Sequence, residues 1–93
     1  MTENNGNLLK INFSTFVFSL AGSAQVHLGL IPNPADNKKE VSLPLAKQSI
    51  DILELLKEKT KGNLSNDEGE LLDHLLFDLR MRFVEEDKKK GGS

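Results

Sequence analysis

The stretch "SNDEGELLDHLLFDLRMRFV", residues 65–84, has apolar side chains at helical spacing and decides the fold class. Ser65 followed by Glu68 is the pattern of a capping box, and Asp67 adds a negative charge that favours the same helix end. The spacing predicts a helix over residues 66–85. Its inner face is formed by leucines and one aromatic residue: Leu71, Leu72, Leu75, Leu76, Leu79 and Phe83.

A second helix is predicted upstream, over residues 43–61. Ser42 is a suitable N-cap, Pro44 is tolerated in the first turn, and Gly62 is suited to the end. Its apolar stripe comprises Leu45, Ala46, Ile52, Leu53 and Leu56, with Ile50 at the edge. Because only a few residues separate it from the third helix, the two are expected to form an antiparallel hairpin.

A first helix is predicted over residues 13–29, with Asn12 or Ser14 as its cap and Gly29 at its end. Its stripe comprises Phe13, Phe16, Val17, Leu20, Ala24 and Leu28. Pro32 and Pro34 then interrupt the pattern, and Asp36-Asn37 is typical of a turn. No segment alternates with a period of two, so the sequence predicts an all-α, three-helix domain.

The domain organisation predicted is a single helical domain over residues 12–86, with flexible polar segments at 1–11 and 87–93. A domain of this size buries only about 60% of its unfolded surface and is marginally stable alone. The chain contains no cysteine, so disulfides cannot supplement the core. A partner subunit is one of the remaining ways to do so.

The chain carries no Asp, Glu, Lys or Arg from Ile11 through Ala35. A membrane span, a catalytic pocket and an association surface are the three explanations to weigh. Six polar side chains and two glycines lie between Phe13 and Ile31, and no basic cluster flanks the segment. We therefore expect no membrane span and favour a helix that is covered on both sides.

The charge balance argues against polyanion partners. The net charge is −2, with 14 acidic and 12 basic residues, so we expect no nucleic-acid binding. The three lysines at 88–90 directly follow three acidic residues and are interpreted as part of a solvated tail. The N-terminal sequence lacks the pattern of a secretory signal, and a cytoplasmic location is expected.

The sequence contains two rows of apolar residues in addition to those needed to fill one small core. The first consists of Phe18, Gly22 and Val26, and the second of Phe77, Met81 and Val84. Each lies away from the main stripe of its helix, and Leu55 likewise stands apart on the second helix. Exposed apolar patches are rare on monomers. The rows therefore predict an oligomer interface, and a homodimer is the commonest solution for a soluble chain.

His27 and Ser23 are the candidates for a polar site within the first helix. Their spacing allows a hydrogen bond, and we predict that they form a buried polar pair. A Ser–His catalytic pair is the alternative, but it needs an orienting acid and an oxyanion hole that the sequence does not indicate. No catalytic residue is predicted, and we expect the protein not to be an enzyme.

Glu70, His74 and Asp78 follow one line of the third helix, at i, i+4 and i+8. Such residues can hold a metal across a dimer axis. The alternative is an exposed charged face in which Arg82 pairs with Asp78. Since one helix supplies few ligands, we predict no metal or cofactor and keep these three residues as weak candidates.

Three segments resemble a family of small bacterial proteins. They are "FSTFVFSLAGSAQVHLGLIPNP" (13–34), "KKEVSLPLAKQSIDILELLKEKTKGNLS" (38–65) and "LLFDLRMRFV" (75–84), of which "VHLGLIPNP" and "DLRMRFV" are the most distinctive parts. The family is catalogued as domain of unknown function 1844. The resemblance implies a bacterial origin and a compact, stand-alone helical protein, and it assigns no role to any residue.

The sequence supports two functional hypotheses. The first is a non-enzymatic interaction module: a small homo-oligomer that docks another protein through the proline-containing linker or the exposed face of the second helix. The alternative is a helical oligomer that binds a metal or small ligand through His27, or through Glu70, His74 and Asp78.

Overall fold

The structure is a computed structural model and describes residues 11–91. This part of the chain forms three α-helices: α1 (Phe13–His27), α2 (Leu43–Lys59) and α3 (Asn66–Gly91). No strand occurs among the described residues, where one isolated antiparallel bridge pairs Leu28 with Val41. The predicted all-α class and the number of helices are confirmed.

The start of α1 is held by a capping box. The side-chain oxygen of Asn12 accepts a hydrogen bond from the Thr15 N–H at 2.9 Å. In return, the Asn12 N–H donates to Oγ1 of Thr15 at 3.0 Å. The two bonds satisfy backbone and side-chain groups at the helix end reciprocally. Of the two caps predicted for this end, Asn12 is the one that acts.

The end of α1 is a Schellman motif centred on Gly29. The Gly29 N–H donates to the Val26 carbonyl at 3.0 Å, and the Leu30 N–H donates to the Gln25 carbonyl at 2.9 Å. Gly29 has φ 76°, the left-handed conformation that this motif requires. The helix therefore stops where glycine was predicted to end it.

The linker returns along the end of α1. The Ser42 N–H donates to the His27 carbonyl at 2.8 Å, next to the bridge between Leu28 and Val41. A Cβ atom at Gly29 would lie 2.9 Å from Cγ2 of Val41. Gly29 is thus required both for its positive φ and for the close approach of the linker.

The predicted turn lies in the middle of this linker. The Asn37 N–H donates to the Asn33 carbonyl at 2.6 Å, and the Lys38 N–H donates to Oδ1 of Asp36 at 3.1 Å. Asn37 has φ 60°, a conformation that asparagine tolerates better than most residues. Short polar side chains therefore fix the direction of the linker.

Ser42 occupies the N-cap position of α2, but its side chain makes no capping hydrogen bond. A cap side chain bonds the N–H of the second or third helical residue, and the second here is Pro44, which has no N–H. At the other end, Oγ1 of Thr60 donates to the Leu56 carbonyl at 2.7 Å. The helix ends at Lys59, two residues before the predicted boundary.

The capping box predicted for α3 is present. The Glu68 N–H donates to Oγ of Ser65 at 3.2 Å, and the Ser65 N–H donates to Oε1 of Glu68 at 2.9 Å. The helix continues to Gly91, six residues beyond the predicted end at 85. Nζ of Lys89 lies 3.2 Å from Oε2 of Glu86, and lysines in the last turn complement the helix dipole.

The structure describes only part of the two terminal segments that the sequence predicted to be flexible. Of the N-terminal segment 1–11, residues 1–10 lie outside the described residues. Of the C-terminal segment 87–93, residues 87–91 belong to α3, whereas 92–93 lie outside the described range.

The core lies where the three helices meet, and each helix packs against the other two. Its buried members are the following: Val17, Ala21, Ala24, Leu28, Ala46, Ile50, Leu53, Leu72, Leu76 and Leu79. On α3 these residues lie within the predicted stripe, and Leu71, Leu75 and Phe83 pack at its margin as partly buried residues. The predicted inner face of α3 is confirmed.

The predicted inner faces of α1 and α2 need correction. Phe16 was placed in the core but is 49% exposed, whereas Ala21 was omitted and is buried. Leu45 and Ile52 were also placed inside and are exposed. On both helices, the buried line contains alanines, which let the helices approach closely. The large apolar side chains beside that line therefore remain outside the core.

The rotation of α2 about its own axis follows from its buried residues, Ala46, Ile50 and Leu53, which face the core. Two half-exposed ion pairs lie on the side towards α3. Glu54 Oε2 accepts a hydrogen bond from Nε of Arg80 at 2.8 Å, and Nζ of Lys57 lies 2.6 Å from Oδ1 of Asp73. Ile52 lies on the opposite side of α2 and is exposed.

Candidate functional site

The row Phe77, Met81 and Val84, here called the α3 outer row, is exposed. The exposed fractions are 61% for Phe77, 48% for Met81 and 50% for Val84. The spacing of four and then three residues places them on one side of α3. Leu72, Leu76 and Leu79, on the inner side of α3, are by contrast buried. The α3 outer row therefore lies outside the core formed by the described residues.

The row Phe18, Gly22 and Val26, here called the α1 outer row, is more recessed. Phe18 is 54% exposed, while Gly22 and Val26 are partly buried. A Cβ atom added at Gly22 would meet nothing within 4 Å. Space for a further side chain or a neighbouring helix therefore exists at the centre of this row.

Three further apolar side chains are exposed where the sequence predicted core residues. Phe16 on α1, and Leu45 and Ile52 on α2, were assigned to the core and are exposed instead. Leu55 is exposed, as expected from its position apart from the stripe. For Phe16, the signal that would have identified it as exposed is the pair of small residues on the buried line of α1, Ala21 and Ala24.

His27 and Ser23 do not form the buried pair that the sequence predicted. His27 is partly buried and Ser23 is exposed, and no polar or charged residue among residues 11–91 is buried. Oγ of Ser23 donates to the Ser19 carbonyl at 3.5 Å, back along the helix. This bonding is common for serine in a helix and turns the hydroxyl away from position 27. The prediction of a buried pair is wrong.

Glu70, His74 and Asp78 are exposed on α3, as is Arg82. The expected pair between Asp78 and Arg82 is replaced, since Nη1 of Arg82 lies 3.8 Å from Oε1 of Glu85. Within the described part of the chain, no group of three or more His, Cys, Asp or Glu residues is arranged to hold a metal ion. The weak metal candidates are therefore not brought together within one chain.

The ion pairs of the surface are local or link α2 to α3. Nζ of Lys47 lies 2.8 Å from Oδ2 of Asp51, one turn away. The hydrogen bond and the charge of Asp51 raise the pKa of Lys47 above its usual range. Since both side chains are exposed, this pair contributes little to stability.

None of the described helices combines the length and the apolar character needed to cross a membrane. The uncharged α1, at 15 residues, is shorter than a span requires.

The match to known families covers residues 10–85 of the 93, and the matching description is "Domain of unknown function (DUF1844)". The chain belongs to the DUF1844 family. The resemblance noted from "VHLGLIPNP" and "DLRMRFV" is thereby confirmed. No curated protein and no solved structure shows a significant match to this chain. DUF1844 membership therefore extends over all three helices, up to Glu85 within α3.

Proposed function

We propose that this DUF1844 protein is a small, non-enzymatic helical protein that forms a homo-oligomer, most simply a dimer, and acts as a protein-interaction module. The observation that supports the proposal is the exposed α3 outer row, together with the exposed Phe18 of the α1 outer row, outside the three-helix core. The α3 outer row is the more exposed of the two. Such surfaces are unusual on monomers and mark association sites.

Because the core is small, burying the α3 outer row in an interface would add to the stability of the fold. A domain of roughly this length buries too little surface to be very stable alone. Phe77, Met81 and Val84 are already about half buried, so covering the remainder of each contributes about 1 kcal/mol before the costs of association. Two or three such residues per chain would be a substantial addition to a marginal fold. Association and stability are thus expected to be coupled.

A role in binding another protein is supported by the outer face of α2. Leu45, Ile52 and Leu55 are exposed there, and the linker residues Pro32 and Pro34 are exposed as well. The exposed apolar side chains provide contact area, and the linker offers a fixed backbone. This face is separate from the α3 outer row, so a dimer formed on α3 would leave it available.

Mass measurement of matched variants tests the proposal. Phe77→Asp introduces a charge into the α3 outer row without touching the core, and should convert an oligomer into a folded monomer. Gln48→Asp makes the same change in charge on an exposed position of α2 and should keep the wild-type mass. Light scattering at fixed concentration distinguishes these outcomes. Equal masses for the wild type and Phe77→Asp would refute a role of this row.

A further inference from the structure

We infer that two copies of this chain pair through α3 in an antiparallel arrangement, in a register that places Glu70 of one copy beside Lys88 of the other. The inference rests on the proposed self-association and adds its surface, direction and register. It follows from where the apolar and charged residues lie along one face of α3.

The α3 outer row and two oppositely charged residues share one face of the helix. At about 100° per residue, Glu70, the three residues of the row, and Lys88 fall within a sector of about 60°. Glu70 and Lys88 are both exposed. The apolar row therefore has an acidic residue towards one helix end and a basic residue towards the other.

The register follows from the position of the row along the helix. α3 spans Asn66–Gly91, so its midpoint lies between residues 78 and 79. The apolar row lies close to this midpoint. An antiparallel pair centred at residue 79 places Phe77 of one copy opposite Met81 of the other. The two helices then overlap along nearly their whole length of about 39 Å.

The direction follows from charge. In this register, position 70 of each copy faces position 88 of the other, so the pairing contains two Glu70–Lys88 contacts. A parallel pairing would instead place each residue beside its own equivalent, with like charges together. Neither side chain has an ion pair with another described residue of its own chain. Complementary charges at both ends of an apolar contact favour the antiparallel direction.

The charged residues at the flank lie outside the contact sector. At about 100° per residue, Asp78 lies about 80° and Arg82 about 120° from the line of Glu70 and Lys88. Arg82 is paired with Glu85 of its own chain, with Nη1 3.8 Å from Oε1. The proposed pairing therefore rests on Glu70, Lys88 and the α3 outer row.

Cysteine crosslinking tests the register directly. The chain has no cysteine of its own, so disulfides can form only at the introduced positions. The variants Glu70→Cys and Lys88→Cys are mixed in equal amounts and oxidised, and the mixture is expected to give a covalent dimer. In each variant alone, the two cysteines would lie 18 residues apart along the helix, about 27 Å, too far for a disulfide. Asn63→Cys, on an exposed turn, measures random crosslinking.

The outcomes separate this inference from the proposed function. A covalent dimer formed by Glu70→Cys alone shows parallel pairing and overturns the inference. If light scattering shows a dimer but the mixture crosslinks no more than Asn63→Cys, the interface lies elsewhere: the inference falls and self-association stands. If all variants, and the wild type, are folded monomers, both fall. Far-UV circular dichroism checks that each variant remains helical.

Reversing the charges at positions 70 and 88 tests the proposed register independently of crosslinking. Glu70→Lys alone and Lys88→Glu alone should each weaken the dimer about tenfold, because two attractive contacts become repulsive. The double variant restores opposite charges and should return to within about threefold of the wild type. In 1 M salt, where the screening length is about 3 Å, the differences should largely disappear. Single variants that dimerise as well as the wild type at low salt would overturn the register.

Discussion

α1 and α3 each bury one face and expose an apolar row on another, but they differ in what surrounds that row. α1 has no Asp, Glu, Lys or Arg, and its buried line consists of Val17, Ala21 and Ala24. α3 buries leucines and carries charged residues on both sides of its outer row. Both helices therefore offer apolar contact area, but only α3 has charges that give a contact its direction.

The same difference decides what can be predicted from the sequence. On α3, charged positions identify the outward sides, so the leucine stripe was assigned correctly and the outer row was correctly placed outside the core. On α1 no such positions exist, and Phe16 was placed inside because it is large, while Ala21 was overlooked because it is small. Local chemistry, such as the box at Ser65 and the end at Gly29, was readable because it depends on neighbouring residues alone.

The features that could not be predicted depend on contacts between residues that are distant in the sequence. The rotation of α2 follows the burial of Ala46, Ile50 and Leu53 against α1 and α3, and the residues that cover them are distant along the sequence. The absence of a buried His27–Ser23 pair likewise follows from the face that α1 turns to its neighbours. Tertiary packing, rather than helical spacing, selected those faces.

The largest expected effect is a difference in stability between substitutions on the buried face and on the exposed face of α3. Leu76 is fully buried, so Leu76→Ala should cost about 2–5 kcal/mol of unfolding free energy at every protein concentration. Phe77→Ala, at the adjacent exposed position, should destabilise the protein only at concentrations where the dimer forms. Urea unfolding at two concentrations a hundredfold apart measures both. A large, concentration-independent loss for Phe77→Ala would show that Phe77 belongs to the core of the monomer.

The second effect compares the end of α1 with the connection that leads to α3. Both glycines have a positive φ, which is unfavourable for alanine. In Gly29→Ala the new Cβ atom would also contact Val41, whereas in Gly62→Ala it would have nothing within 4 Å. We expect a loss of about 1–2 kcal/mol from backbone conformation at either site, and a larger total at Gly29. Thermal unfolding of the two variants checks the order. A smaller loss at Gly29 would contradict the tight linker contact.

A third, smaller effect concerns the outer face of α1. Gly22→Ala should stabilise the fold by up to about 1 kcal/mol, because alanine favours a helix and the new methyl group has space. Gly69→Ala, on α3, has similar space and serves as the matched control. Melting temperatures measure the gain. A decrease for Gly22→Ala but not for Gly69→Ala would show close packing against α1 in the assembly, as an interface centred on α1 requires.

The smallest expected effect concerns the charged contact between α2 and α3. Glu54→Gln removes the charge that pairs with Arg80, and both side chains are about half exposed. The loss should be at most about 1 kcal/mol and should shrink in high salt. Chemical unfolding in urea with and without added sodium chloride measures it. A loss of several kcal/mol that persists in salt would assign this pair a structural role beyond that of a surface contact.

The most direct test of the central claim is the mass of the wild-type protein across a dilution series, measured by sedimentation velocity. One chain has a mass of 10.3 kDa. The account predicts a helical species of twice that mass at micromolar concentration, which dissociates on dilution with a fall in melting temperature. A folded species of 10.3 kDa at every concentration, with a constant melting temperature, would contradict it.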